Sequence, residues 1–303
     1  MNTFSKACGF VYKNARPIDL LRWQYHFENG SKEAVLNALA AYQNEDGGFA
    51  HALEADSWNL NSSPIQTWTA TEILREIGCT DRDNAIIKGI LQYLASGSDF
   101  DGDIWLNSIK SNNDFPHASW WHVENDSYDK TYNPSACLAG FIIRFADKKS
   151  ELYRLGCHVA KEACEHLLNK NSFDEMHLLP CYIRLMQYCE EAGETGVIDL
   201  DALKARLVRG VDKCITRDTD KWKTSYICKP SQLFDSKDSV FYSGNEDIAR
   251  YEWEFIEDSQ LDDGSWSIPW KWKDYPAEWA ISKNWWKSTV IILNMLYMRN
   301  MSK

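Results

Sequence analysis

The sequence has no cluster of basic residues and no long apolar run. Its 303 residues contain 33 Lys and Arg against 44 Asp and Glu, which gives a formal net charge of −11. Nucleic acids and anionic membranes bind clustered cations, so neither is expected as a partner. No window approaches the roughly 20 apolar residues that span a bilayer, and the N-terminal MNTFSKACGFVYKNARPIDLL lacks the apolar core of a secretory signal. We therefore predict a cytoplasmic protein without a membrane span.

Several motifs that carry chemistry are also missing. The nine cysteines are odd in number and form no Cys-x-x-Cys pair, which favours reduced, buried thiols over a disulfide framework or a zinc knuckle. The sequence has no Gly-x-Ser-x-Gly elbow, no phosphate-binding loop, no dinucleotide-binding glycine string and no His-Glu-x-x-His. We therefore predict no cofactor, no metal site and no serine-hydrolase chemistry.

Alternating β-strand patterns are scarce, and helical periodicity dominates. Ser31 and Ser63 are predicted to cap helices, Pro64 to occupy a first helical position and Gly78 to end a helix. The pair Asn133 and Pro134 repeats the pattern of a cap followed by proline. The sequence predicts helices over 17–27, 31–43, 63–78, 82–96, 133–146, 150–169, 174–192, 199–216, 245–259 and 284–300, with another short one starting near 229.

The spacing of these segments suggests an architecture. Short turns between helices alternate with long loops rich in Asp, Gly and Trp, and the long loops precede the more apolar helix of each pair. A ring of helical hairpins satisfies this pattern, with apolar helices inside, amphipathic helices outside and the long loops gathered at one end. We therefore predict an all-α fold, an α/α toroid of five to six helical hairpins, as one domain over 1–303.

One turn motif occurs twice in the chain. QNEDGGFA at 43–50 and QLDDGSWS at 260–267 share Gln, two residues, Asp-Gly, one residue and a large aromatic. Gly47 and Gly264 are predicted to adopt a positive φ, and the two glutamine amides to bond loop backbone or the end of a neighbouring helix. The aromatic residue is expected to pack as a plug. A third stretch, DGDIW at 101–105, is a weaker copy without the glutamine, and we interpret it as a turn and not as a calcium loop.

Gln-x-x-Asp-Gly-x-Trp resembles the QW repeat of squalene cyclase and other class II terpene cyclases, which share an α/α toroid with the β subunits of protein prenyltransferases. The resemblance implies the toroid fold for this chain. The chemistry of the cyclases does not carry over, because the sequence has neither the Asp-x-Asp-Asp acid motif of class II cyclases nor Asp-Asp-x-x-Asp. The resemblance therefore implies a toroid with an unassigned cavity.

Two long loops supply most of the candidate site residues. The first loop, HALEADSWNLNSSP, ends at a helix N-terminus, where polar ligands are readily accommodated. The second, 97–132, is longer than most connections in compact domains, which favours a functional role. Carboxylates beside tryptophan suit acid–base work. The predicted catalytic residues are Glu54, Asp56, Glu124 and Asp126, and the predicted ligand-binding residues are His51, Trp58, Trp68, Trp121, His122, Trp270 and Trp279.

Seven of the fourteen tryptophans fall between Trp253 and Trp286. Such rings can stabilise a carbocation by cation–π contact in a dry pocket, or serve as flat platforms for sugar rings. The leading hypothesis is a cyclase-like or prenyltransferase-like protein whose acidic, Trp-lined cavity takes a small, partly apolar, isoprenoid-like ligand. One alternative is a glycan-active hydrolase or lyase that takes a saccharide, and another is a non-catalytic binding or scaffold protein.

Overall fold

A computed structural model of the protein describes residues 2–124 and 131–302. Within these ranges the chain forms eleven α-helices and no extended strand, only isolated bridges between loop residues. The prediction of an all-α fold is confirmed. The helices are α1 (Thr3–Asn14), α2 (Pro17–Phe27), α3 (Lys32–Ala40), α4 (Pro64–Glu76), α5 (Ala85–Ala95), α6 (Ser135–Phe145), α7 (Glu151–Asn169), α8 (Leu179–Ala192), α9 (Leu200–Cys214), α10 (Glu246–Asp258) and α11 (Pro276–Met301).

Short 3-10 helices lie in the loops at Lys110–Asp114, Ser119–Trp121, Thr219–Lys223 and Pro230–Gln232. No helix in 2–124 or 131–302 combines the length and the apolar character that are needed to cross a bilayer. Internal contacts divide the chain into two compact units, Met1–Ala38 with Val211–Lys303, and Leu39–Gly210. We call them the terminal unit and the central unit.

The core of the central unit is built around α6, which packs against α7 and α8. Its sequence, SACLAGFIIRF, is apolar on every face, and all of its residues except Arg144 are buried. A helix that is apolar all round is stable only when neighbours cover every face. Gly140 allows α8 to approach closely, because a Cβ at this position would lie 3.0 Å from the Leu185 Cα.

The terminal unit joins the first helices of the chain to the last ones. In it α11 contacts α1, α2 and α10. Trp23 is fully buried, with its ring centroid 5.0 Å from that of Phe4 and 4.6 Å from that of Phe27. Asp19 is also fully buried, and it accepts hydrogen bonds from Arg16 and Arg22. These contacts tie the N-terminal segment into a core.

Most helix boundaries follow the sequence prediction. The Ser63 side chain accepts a hydrogen bond from the Gln66 amide, Pro64 begins α4, and Gly78 has a φ of 63° just after it. Ser31 accepts from the Ala34 amide in the same way. These signals are reliable because capping depends only on residues within one turn of the helix end.

Three predictions at helix ends were wrong. Helix α1 was not predicted, and α11 begins at Pro276 instead of 284. Asn133 does not cap α6, because Pro134 takes the N-cap position and the Asn133 side chain instead accepts a hydrogen bond from the Cys181 thiol in α8. At Asn133 a contact with another helix therefore decides the use of the side chain.

Candidate functional site

The first copy of the repeated turn is fixed by the amide of Gln43. Its Nε2 donates to the Gly47 carbonyl at 2.9 Å and to the Ile86 carbonyl, at the start of α5, at 3.1 Å. Gly47 has a φ of 91°, and a Cβ there would lie 2.1 Å from the Gly89 carbonyl oxygen. Phe49 is fully buried. The turn is therefore docked on the first two turns of α5.

The second copy repeats this geometry in the terminal unit. The Gln260 Nε2 donates to the Gly264 carbonyl at 3.0 Å and to the Thr3 carbonyl, at the start of α1, at 2.9 Å. Gly264 has a φ of 90°, and a Cβ there would lie 2.1 Å from the Lys6 carbonyl oxygen. The contacted carbonyls are three residues apart in both helices. The predicted glycine, glutamine and plug roles are all confirmed.

The third stretch, DGDIW, differs as the sequence indicates. Gly102 has a φ of 106°, but a Cβ there would meet nothing within 4 Å. The Asp101 carboxylate accepts from the amides of Asp103 and Ile104, and Trp105 is buried. This segment is a local turn that does not dock on a helix through its glycine.

The two loops that carry most of the candidate residues lie against each other in the central unit. Ser57 forms a bridge with His117. The Trp58 amide donates to the Pro116 carbonyl at 2.9 Å, and the Ala118 amide donates to the Asp56 carbonyl at 2.9 Å. The structure thus brings the 51–59 segment and the 111–123 segment together, although more than fifty residues separate their starts. We call this paired region the loop pair.

Asparagine side chains hold the loop pair together, and sequence reasoning did not single them out. Asn59 is fully buried, and its Nδ2 donates to the Asn112 Oδ1 at 2.8 Å and to the Ser111 hydroxyl at 2.9 Å. Asn112 in turn donates to the Trp121 carbonyl at 3.1 Å. The repeated Asn and Ser in both loops was the available signal, because such side chains bond neighbouring backbone and each other in loops.

The two predicted acids of the first loop are buried. Glu54 is 7% exposed and Asp56 is 2% exposed. The Glu54 Oε2 accepts from the Asp56 amide at 2.8 Å. Gln66 of α4 braces this segment, since its Oε1 accepts from the Leu53 amide at 3.0 Å and its Nε2 donates to the Asn59 carbonyl at 3.4 Å. The helix α4 therefore holds the backbone on both sides of the two acids.

Two histidines, His117 and His122, lie in the 111–123 segment of the loop pair, whereas the two acids lie in the 51–59 segment. His117 is buried and its Nδ1 lies 2.6 Å from the Phe115 carbonyl oxygen. Its Nε2 lies 3.0 Å from the His122 Nδ1, and the two ring planes are nearly parallel, with an interplanar angle of 8°. His122 is exposed. The contacts therefore run from a backbone carbonyl through the buried His117 ring to the exposed His122 side chain.

The remaining candidates of the central unit have varied environments. His51, with a φ of 62°, is exposed, and its Nε2 lies 2.8 Å from the Asn44 Oδ1. Trp58, Trp68 and Trp121 are half-buried, and Glu124 is exposed. The indole N–H groups of Trp68 and Trp121 are buried, and neither has a hydrogen-bond partner among residues 2–124 and 131–302. Asp126 lies outside the described residues.

Trp270 and Trp279 belong to the terminal unit. The Trp270 ring centroid lies 5.6 Å from that of Tyr226 and 5.3 Å from that of Trp286, both edge-on. Trp279 lies 5.9 Å from Trp272. These tryptophan rings pack on neighbouring aromatic rings, and their predicted role in ligand binding stays a prediction.

An acidic cluster borders the first docked turn. The Tyr93 hydroxyl donates to the Asp99 Oδ2 at 2.9 Å, and the Asp46 Oδ1 accepts from the Ser62 hydroxyl at 2.7 Å. Burial raises the pKa of Asp99, the hydrogen bond from Tyr93 opposes that rise, and the charge of Asp46 adds to it. Asp99 also has a φ of 55°. Its ionised form is thus disfavoured in the folded state.

No group of three or more His, Cys, Asp or Glu in the described part of the chain is arranged to hold a metal ion. Comparison of the chain with protein-family models, with curated proteins and with solved structures found no match.

Proposed function

We propose that this chain is an α/α-toroid protein, with one domain over 1–303, that handles a small, partly apolar ligand in the manner of terpene cyclases and prenyltransferases. The ligand site is the loop pair of the central unit. Glu54 and Asp56 are its acid groups, and Trp58, Trp121 and His122 are its ligand contacts. Trp68 of α4 is proposed as a further contact. The toroid and the ligand are both part of the proposal.

The proposal rests on one observation, which is that both Asp-Gly turns dock on a helix with the same geometry. Two turns with the same sequence pattern place a glutamine amide on carbonyls of a following or preceding helix, at the same spacing and within 0.2 Å of the same distances. A repeated contact of this kind is how repeat architectures join one helical unit to the next. It supports a succession of helical hairpins in which each unit docks on its neighbour.

The chemistry proposed for the site follows from its buried carboxylates. Glu54 and Asp56 are largely withdrawn from water, the Glu54 carboxylate accepts from the Asp56 amide, and Gln66 of α4 holds the neighbouring backbone of Leu53. Buried carboxyl groups can donate or accept a proton at a bound ligand, and aromatic rings that contact the ligand can stabilise positive charge that develops on it. Glu54 is therefore the leading candidate for the acid–base residue.

The proposal is tested by a binding titration with farnesyl diphosphate and farnesol, read by tryptophan fluorescence and by calorimetry. We expect saturable binding by the native chain and at least about a tenfold weaker affinity for Glu54→Gln, which corresponds to about 1.4 kcal/mol. Glutamine keeps an oxygen that can accept from the Asp56 amide, so folding is preserved. Glu162→Gln, at an exposed position of α7, is the matched control and should bind like the native chain.

Two results would contradict the proposal. One is no saturable binding of either prenyl compound by the folded native chain. The other is equal loss of affinity in Glu54→Gln and in Glu162→Gln. Binding of neither prenyl compounds nor saccharides would instead favour the non-catalytic scaffold alternative.

A second candidate function is glycan hydrolysis or cleavage, and the polar lining of the loop pair favours it. Asparagine, histidine and buried carboxylate side chains dominate the contacts there. Sugars need many hydrogen-bonding partners together with an aromatic platform. This candidate requires two carboxylates about 5 to 9.5 Å apart across the bound sugar. A reducing-end assay on β-glucan, chitin and polyuronate oligosaccharides tests it, with Glu54→Gln and Asp56→Asn each expected to remove about 10²-fold or more of the rate.

A further inference from the structure

The hydrogen-bond partners of the two histidines determine which ring nitrogens carry a proton. A backbone carbonyl oxygen can only accept a hydrogen bond. The short distance of 2.6 Å from the Phe115 carbonyl therefore places a proton on the His117 Nδ1. In the neutral ring the His117 Nε2 then carries a lone pair.

The same logic fixes the second ring. The His122 Nδ1 lies 3.0 Å from the His117 Nε2, so it must be the donor of that hydrogen bond. A neutral His122 ring then has its lone pair on Nε2. Among residues 2–124 and 131–302, no group forms a hydrogen bond with this nitrogen, and the side chain is exposed.

We infer that the His122 Nε2 is the hydrogen-bond and proton acceptor of the loop pair, and that the ligand presents a hydroxyl group to it. The inference rests on the proposed position of the ligand site, and the ligand class that it names is that of the second candidate function, a saccharide. His117 is a positioning residue, which holds the His122 ring in the tautomer that exposes a basic nitrogen. The arrangement parallels the way in which a third group orients a catalytic histidine.

The proton transfer balances within the site. A ligand hydroxyl gives its proton to the His122 Nε2, the oxygen keeps the electron pair, and His122 becomes an imidazolium that still donates through Nδ1 to His117. A hydroxyl group can give its hydrogen to the His122 Nε2, whereas an ionised diphosphate group can only accept hydrogen bonds. A hydroxyl-rich ligand such as an oligosaccharide or polyol therefore fits this nitrogen.

The tautomers are measured directly by long-range ¹H–¹⁵N correlation spectra of the full-length chain, which has seven histidines. We expect His117 and His122 to carry their proton on Nδ1. His51 is an internal reference, because its Nε2 faces the Asn44 Oδ1 and must carry the proton. In His117→Phe the ring shape is kept but the acceptor is lost, so His122 should return to the Nε2–H form that histidine favours in water.

A protonated Nε2 on neutral His122 in the native chain would overturn the inference. If His117→Phe does not fold, His117→Gln is measured in its place, and an unchanged His122 tautomer in that folded variant also contradicts the positioning role. His177→Gln, exposed in the same unit, is the control and should leave His122 unchanged.

The ligand class is tested by adding cellobiose, chitobiose or glycerol and, separately, farnesyl diphosphate. We expect a saturable shift of the His122 Nε2 resonance with at least one hydroxyl-rich compound, and weaker binding of that compound by His122→Phe. No shift with any of them overturns the ligand class. Binding of farnesyl diphosphate that leaves the His122 Nε2 unshifted would support the proposed function and contradict this inference, so the two can fail separately.

Discussion

Gly47 gives the sharpest test of the docked turn. Replacement by alanine has two separate costs in the structure. The φ of 91° is unfavourable for a residue with a Cβ, at about 1 to 2 kcal/mol. The added Cβ would also lie 2.1 Å from the Gly89 carbonyl oxygen, so the turn and α5 must separate, at about 1 to 3 kcal/mol more. We expect Gly47→Ala to destabilise the central unit by about 2 to 5 kcal/mol.

Gly97→Ala isolates the first cost. Gly97 lies in the same unit with a φ of 75°, but a Cβ there would meet nothing within 4 Å. We expect a loss of only about 1 to 2 kcal/mol for this variant. The difference between the two variants therefore measures the docking of the turn on α5. In the terminal unit Gly264→Ala, which would clash with the Lys6 carbonyl, and Gly244→Ala, which would not, form an independent matched pair.

Urea unfolding followed by circular dichroism measures these differences, with the midpoint and slope fitted for each variant. Equal free energies of unfolding for Gly47→Ala and Gly97→Ala, within about 0.5 kcal/mol, would refute the reasoning that the turn is held by its contact with α5. The same result for the second pair would remove the basis for treating the two turns as one repeated unit.

Two further predictions concern buried charges. Because the pKa of Asp99 is raised in the folded state, its ionised form costs stability at neutral pH, so Asp99→Asn should raise the free energy of unfolding by about 1 kcal/mol. That gain should disappear as the pH falls below about 4, where Asp99 is protonated in both states, and a pH-independent effect in urea titrations would contradict it. Asp19→Asn removes the carboxylate charge that pairs with the buried Arg16 and Arg22, and should cost about 3 to 5 kcal/mol. The control Asp212→Asn breaks an exposed ion pair and should cost less than about 1 kcal/mol, so similar losses for the two variants would refute the argument.

Local signals in the sequence predicted much of the helical structure. The caps at Ser31 and Ser63, the stop at Gly78 and the two Asp-Gly turns all behave as predicted. Each depends on backbone conformation and hydrogen bonds within a few residues, which one sequence window contains. The same reasoning failed at Asn133, because its side chain accepts a hydrogen bond from the Cys181 thiol of α8 and does not cap α6.

The candidate site was predicted in part. Glu54, Asp56, Trp58, Trp121 and His122 were identified as residues of two loops, and the structure places those loops against each other. The residues that join them, Asn59, Asn112 and His117, were not predicted to have this role. Asn59 and Asn112 bond each other from different loops. His117 contacts His122 because the chain bends between 115 and 122.

The sequence alone determined the all-helical character of the chain, the chemistry of its duplicated turn and the choice of glycine where the backbone turns left-handed. These properties follow from periodicity and from the short-range limits that a Cβ imposes on φ. Only the tertiary structure decided which helix each turn docks on, which carboxylates are withdrawn from water and which two loops lie against each other. Such features depend on contacts between segments distant in the chain, and no short window of sequence specifies a contact whose second partner lies outside it.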